Sequence, residues 1–145
     1  MSMAKIRDLM SKKVITLQAH ASIYQAVKLM NKNKIGSLII VRNGETVGIL
    51  TERDLLERVL EKCKNPKETH VFEAMTSHII TGTPDMEIPE ATNLMFKNKI
   101  KKLPIVEGNK LVGMVTLTDI ARATSVDEET IELVEKLSNL HILGH

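Results

Sequence analysis

Apolar positions along this chain recur in two rhythms, the helical and the alternating, and the same succession of rhythms runs through it twice. Residues 6–10 could form one helical turn, and Val-Ile-Thr-Leu at 14–17 follows the polar Ser11-Lys12-Lys13 as a short strand. Ser22 predicts a helix start, with Ile23, Ala26, Val27 and Met30 at helical spacing to about Asn33 and Leu29 widening the stripe. Leu38-Ile39-Ile40-Val41 predicts a buried strand, Arg42-Asn43-Gly44-Glu45 a hairpin turn, 46–51 a returning strand and 52–61 a closing helix.

A polar stretch at 62–70, containing Asn65-Pro66, breaks the pattern and reads as a linker. The order then starts again. Residues 71–75 match 6–10, Ile79-Ile80-Thr81 matches Val14-Ile15-Thr16, and a helix over 88–98 repeats Ala26, Leu29, Met30, Lys32 and Asn33 as Ala91, Leu94, Met95, Lys97 and Asn98. Leu103-Pro104-Ile105-Val106 matches 38–41, with a turn at Glu107-Gly108-Asn109. Without gaps, roughly a third of positions are identical between 6–59 and 71–124, the mark of an internal duplication. Pro104 suggests an edge, or a position whose N–H the ladder does not need. The division is therefore 6–61, linker 62–70, 71–124, and a tail at 125–145 in which Ile131, Val134, Leu137 and Leu140 predict one further amphipathic helix, a packing surface.

One stretch stands out in both copies, Gly48-Ile49-Leu50-Thr51-Glu52-Arg53-Asp54 and Gly113-Met114-Val115-Thr116-Leu117-Thr118-Asp119. Each predicts a strand ending at threonine, followed at once by a helix whose third residue is aspartate. Backbone N–H groups and a carboxylate at one corner suit an anionic, hydroxyl-bearing ligand, since helix N-termini attract phosphate and a carboxylate accepts bonds from ribose hydroxyls. Thr-x-x-Asp is equally a capping pattern, in which the threonine oxygen satisfies an orphan N–H.

Composition narrows the function classes. The 145 residues fit two small halves leaning on one another, because a unit of about 60 residues buries only about 60 % of its unfolded surface. A net charge of +2 carries no nucleic-acid footprint, and two phenylalanines, one tyrosine and no tryptophan argue against base-stacking platforms. Aliphatic side chains must fill the core. The single Cys63 allows no intrachain disulfide, and neither a signal peptide nor a membrane-length apolar run is present, which predicts a soluble cytoplasmic protein. The five histidines show no metal-binding spacing, no phosphate loop or dinucleotide turn occurs, and the eight methionines suit core filling, so a non-enzyme without metal or covalent cofactor is expected.

The order of elements, the Leu103-Pro104-Ile105-Val106 strand with its following Leu111-Val112-Gly113, and the paired Gly-x-x-Thr-x-x-Asp stretches resemble tandem cystathionine-beta-synthase (CBS) domains, the Bateman module. The resemblance covers about residues 6–124. It implies an α+β fold of two beta-alpha-beta-beta-alpha repeats packed with pseudo-twofold symmetry, with clefts between them that take adenosine ligands, and pairing of modules into a homodimer. By position, Thr51 with Asp54 and Thr116 with Asp119 are the implied ribose and phosphate contacts. Thr16 and Thr81, flanked by Ile15 and Ile80, fall where such modules offer backbone bonds and apolar walls to adenine.

Basic residues distinguish the halves. Arg53 has Thr118 as its counterpart, so a guanidinium fork is available only in the first, whereas Lys101 and Lys102 replace Gly36 and Ser37. These lysines are candidate phosphate contacts, with solvated surface lysines as the other reading, and the two sites should differ in affinity. The expected function is a freestanding regulatory sensor of AMP, ADP, ATP or S-adenosylmethionine that signals through conformation or assembly to another protein. A structural dimerisation module whose Thr-x-x-Asp pairs are caps alone is the competing class.

Overall fold

A computed structural model describes residues 4–124, and the helix expected near 131–140 lies outside them. The architecture is α+β and divides into two compact units, Ile15–Ile79 and the residues up to Val14 together with those from Ile80 onward. The units do not coincide with the sequence repeats, because each repeat's opening turn is counted in the other unit.

In the unit Ile15–Ile79, strand β1 (Thr16–Gln18) leads to helix α1 (Ile23–Asn33), the hairpin β2 (Ser37–Arg42) and β3 (Glu45–Thr51), helix α2 (Glu52–Leu55) and the short helix α3 (Val71–Ala74). β1 pairs parallel with β2, and β2 antiparallel with β3. Leu38, Ile40 and Leu50 share one sheet face and pack with Ile23, Ala26 and Met30 of α1 and with Val59, Val71 and Ala74. Ser22 starts α1 as expected. Its hydroxyl accepts from Gln25 N at 3.1 Å and its own N–H donates to Gln25 Oε1 at 2.9 Å, two orphan donors satisfied reciprocally.

The 62–70 stretch is hydrogen-bonded to the start of α1, since Tyr24 N donates to Pro66 O and Ile23 N to Thr69 O. α2 also departs from the expected single closing helix. After Leu55 it widens into a π-helix over Leu56–Leu60, with Glu61 N bonding Leu56 O at 2.9 Å.

In the other unit, helix α4 (Ile88–Asn98) and the hairpin β4 (Lys102–Glu107) and β5 (Lys110–Thr116) lead to helix α5 (Leu117–Ala123). Leu103, Ile105 and Val115 pack with Ala91, Met95, Leu117 and Ile120, and Ile6 of the opening 3-10 turn is fully buried among them. Val71, the repeat counterpart of Ile6, is likewise buried in its own unit. None of the three aromatic residues is buried; Tyr24, Phe72 and Phe96 are all exposed, so both cores are aliphatic.

The counterpart of β1 shrinks to one bridge, Gly82 with Ile105, for a reason visible in two prolines. Pro104 O accepts from Gly82 N at 2.9 Å, so the Pro104 nitrogen faces the same edge and has no hydrogen to give. At the other end, Ala19 N bonds Val41 O at 3.0 Å, while its counterpart Pro84 has no N–H for Val106.

Both hairpins carry the same bulge. Ile40 faces Gly48 and Val41 faces Thr46, as Ile105 faces Gly113 and Val106 faces Leu111, so Val47 and Val112 are the extra residues. The motif glycines are required by what approaches them. Ile49 and Thr76 exchange hydrogen bonds of 2.9 and 2.8 Å, and Met114 and Ser11 exchange bonds of 2.9 and 2.8 Å. A Cβ on Gly48 would stand 2.8 Å from Thr76 O and 2.6 Å from Met75 Sδ, and one on Gly113 would stand 2.7 Å from Met10 Sδ and 3.0 Å from Ser11 O.

Gly48→Ala should therefore cost about 2 kcal/mol by overpacking against a backbone carbonyl that its own ladder holds in place. Urea unfolding measures it, and a loss below about 0.5 kcal/mol, the scale of an ordinary surface substitution, would contradict the close approach.

Candidate functional site

Each strand-to-helix corner is built the same way. Thr51 and Thr116 leave their strands with extended backbone and become N-caps of α2 and α5. Asp54 N donates to Thr51 Oγ1 at 3.1 Å and Thr51 N to Asp54 Oδ2 at 2.9 Å, and the second corner repeats both distances between Thr116 and Asp119. The capping reading of Thr-x-x-Asp is thus realised twice. It uses each threonine oxygen as an acceptor and one carboxylate oxygen, which leaves the hydroxyl proton as a donor and the second oxygen as an acceptor.

Beyond the cap the corners differ. Asp54, only 5 % exposed, also accepts from Thr76 Oγ1 at 3.1 Å through Oδ1, with Arg58 at 3.9 Å. Arg58 in turn donates to Ala74 O at 3.2 Å and Met75 O at 2.8 Å. In the second copy Ser11 replaces Thr76, its hydroxyl donating to Lys13 O at 3.5 Å, and Ala123 replaces Arg58. Asp119 is half-buried, and no described residue is seen to bond its Oδ1.

The residue before each hairpin differs as well. Gly36 O accepts from Glu52 N, and the Glu52 carboxylate lies so close that a Cβ on Gly36 would be 2.6 Å from its Oε1. In the second copy Lys101 O accepts from Leu117 N, so the acidic side chain is replaced by an apolar one.

Sheet register places the remaining candidates. Thr16 pairs with Ile39 and Ser37 with Thr51, which puts Thr16 and Thr51 at one end and on one face of the sheet, opposite the Leu38–Ile40–Leu50 face. Two strands across and two residues along separate their Cα atoms by roughly 12 Å, at about 4.8 Å per strand and about 3.3 Å per residue. Lys102 pairs directly with Thr116, and Thr81 precedes the Gly82 bridge. By alternation Thr81, Lys102, Pro104 and Thr116 share the face away from the core.

Ile80 packs against the core cluster and so lies on the other side from Thr81. Ile15, next to Thr16, is exposed at 36 %. Arg53 is half-exposed and reaches Glu57 at 3.4 Å, one turn along its own helix.

Lys102 is not a freely solvated lysine. It is half-buried, and burial first, then the charge of Lys101, lowers its pKa below the ordinary lysine value. Sequence reading missed Thr76 and Arg58. The only signal was the hydroxyl shared by Thr76 and Ser11, which becomes informative once the strand bridge is known.

Among the described residues no group of three or more His, Cys, Asp or Glu could hold a metal ion, and no helix is long and apolar enough to cross a membrane. Comparison with known proteins adds the family. The CBS domain model matches residues 6–61 and again 71–126. The CBS domain-containing protein YhcV of Bacillus subtilis is 31% identical over 140 residues, 97% of this chain and 99% of that protein. Hypoxic Response Protein I, solved with two coordinated zinc ions, superposes with a TM-score of 0.76 at 29% identity, over 83% of this chain and 99% of its own. The CBS domain pair of protein MJ0100, solved with 5'-methylthioadenosine and S-adenosyl-L-methionine, superposes with a TM-score of 0.70 at 32% identity, over 86% of this chain and 98% of its own. With two matched repeats that together fill most of its length, the chain belongs to the CBS domain family as a tandem pair.

Proposed function

We propose that the protein is a regulatory module that binds an adenosine ligand at its Thr-x-x-Asp corners and signals by a change of conformation or assembly. It acts without catalysis, in the cytoplasm and as a homodimer, through a partner protein that reads the change. The observation that carries the reading is the second corner. There a half-buried carboxylate, Asp119, spends one oxygen on its cap, and Lys102 stands directly across the strand pair from Thr116.

The chemistry suits a ribose and a phosphate. The remaining Asp119 oxygen accepts from ribose hydroxyls, the Thr116 hydroxyl donates to a phosphate oxygen, and the Lys102 ammonium supplies a point charge. The adenosine complexes of the MJ0100 pair support the ligand class, and the lysine favours AMP, ADP or ATP over the phosphate-free S-adenosylmethionine. Thr81 lies on the same sheet face and would meet the base. Signalling follows from differential affinity, since a ligand that prefers one conformation shifts the population by that preference, typically about 1 to 3 kcal/mol.

A second reading, a structural dimerisation module with no ligand, draws on the fact that both Thr-x-x-Asp pairs are satisfied caps. Calorimetric titration with AMP, ADP, ATP, S-adenosylmethionine and GMP separates the two. Adenosine-selective binding is expected, weakened about tenfold or more by Asp119→Ala, a loss of about 1.4 kcal/mol or more. Unchanged binding in the Asp54→Ala/Asp119→Ala double variant would discard the corner assignment.

Lys102 gives an independent check. Its lowered pKa means the unfolded chain holds that proton more tightly. The charge therefore costs stability at every pH below the folded pKa, and the cost fades as pH rises through that value toward the ordinary one. Lys102→Met should raise stability at neutral pH, lose that advantage in strong alkali, and weaken AMP more than S-adenosylmethionine. Denaturation at two pH values with parallel titrations measures this; a destabilised variant with unaltered AMP affinity would contradict it.

A further inference from the structure

We infer that Asp54 is a latch for residues 74–76 rather than a ligand contact, so that a phosphate-bearing adenosine ligand is taken up at the second corner alone. The ligand half of this inference rests on the function proposed above; the latch half does not.

Three observations converge on the first corner. Asp54 is nearly fully buried, and both its oxygens are occupied, Oδ2 by Thr51 N and Oδ1 by the Thr76 hydroxyl. Thr76 is also the residue whose backbone bridges Ile49, so one residue is held through its main chain by the sheet and through its side chain by the carboxylate. Arg58 clamps the two preceding carbonyls, Ala74 and Met75, while standing 3.9 Å from Asp54. With Asp54 only 5 % exposed and its Oδ1 already accepting from Thr76, a ribose would have to compete with that hydroxyl for the little of the carboxylate that is open, and displacing it would leave a part-buried donor to be satisfied elsewhere.

Charge points the same way. The Glu52 carboxylate lies over Gly36 at the first corner, where a phosphate would bring a second negative charge. The corresponding residues at the second corner are Leu117 and Lys101, and Lys102 stands in the place of Ser37. The backbone bridge is kept there between Met114 and Ser11, but the side-chain parts of the latch are gone: the Ser11 hydroxyl bonds Lys13 O, and Ala123 has no charge. The duplicated motif has thus been divided between two tasks, closure of one unit and recognition by the other.

Thr76→Val removes the latching hydroxyl at constant size and leaves the cap untouched, so it is the variant of choice. Titration of the whole chain with AMP, ADP and ATP should give one nucleotide per chain. Thr76→Val should lower Tm by about 5 °C, as for a lost hydrogen bond to a charged group, with nucleotide affinity within about twofold. Asp119→Asn should weaken the nucleotide by about tenfold or more with little change in Tm.

Two nucleotides per chain, or a comparable loss of affinity in Thr76→Val or Asp54→Asn with Tm unchanged, would overturn the inference while leaving the adenosine reading intact. A wild type that takes up none of the three nucleotides would overturn the ligand half together with that reading. The latch is then judged by Tm alone: Asp54→Asn and Thr76→Val should together lower it by less than the sum of their separate shifts, and additive shifts would overturn it.

Discussion

Four backbone hydrogen bonds, two between Ile49 and Thr76 and two between Met114 and Ser11, fix most of what surrounds the repeated motif. They bring a further length of chain against the edge of a hairpin strand that faces away from its hairpin partner, one residue after its glycine. Only a residue without a Cβ leaves room for that approach, which accounts for Gly48 and Gly113 before any ligand is considered. The same bridge delivers Thr76 to Asp54 in one unit and Ser11 to a place where its hydroxyl turns to Lys13 instead. Threonine with arginine in one unit, and serine with alanine in the other, thus accompany a carboxylate bonded at both oxygens and one with an oxygen to spare.

This explains how a motif can be a cap and still recognise a ligand. The reciprocal bonds between threonine and aspartate hold the corner at fixed distances and consume one oxygen of the carboxylate. What they leave is an oriented acceptor and an oriented hydroxyl donor, preorganised at the point where a strand meets a helix. The capping and binding readings of Thr-x-x-Asp are consequently not rivals at Thr116 and Asp119. They become rivals only at Thr51 and Asp54, where the remaining oxygen is already spent inside the protein.

Much of this was legible in the sequence because local rules decide it. Ser22 with Gln25, the helix over 88–98 and the Asn43-Gly44 turn each follow from a few neighbouring residues, and the structure carries all three. The duplication made the two corners visible as a pair. The parts that stayed hidden depend on distant partners. Nothing near Ile6 indicates that it fills the core of the later repeat, and nothing in 56–60 announces the π register that carries Arg58 toward Ala74 and Met75. The placement of Ile80 in the core followed from strand alternation around Thr81, which could not be phased until the Gly82 bridge was known. Lys102 was a candidate on position alone; its half-burial and lowered pKa are tertiary facts.

On the proposed function, the second corner recognises an adenosine ligand through Thr116, Asp119 and Lys102. Backbone amide chemical shifts followed by NMR during addition of AMP test it most directly, because each residue reports separately. The largest changes should fall at Thr81, Lys102 and Thr116 through Asp119, while Thr51, Asp54 and Thr76 stay near their starting positions. Saturable changes centred on Thr51 and Asp54, or a spectrum indifferent to AMP in a folded protein, would contradict it.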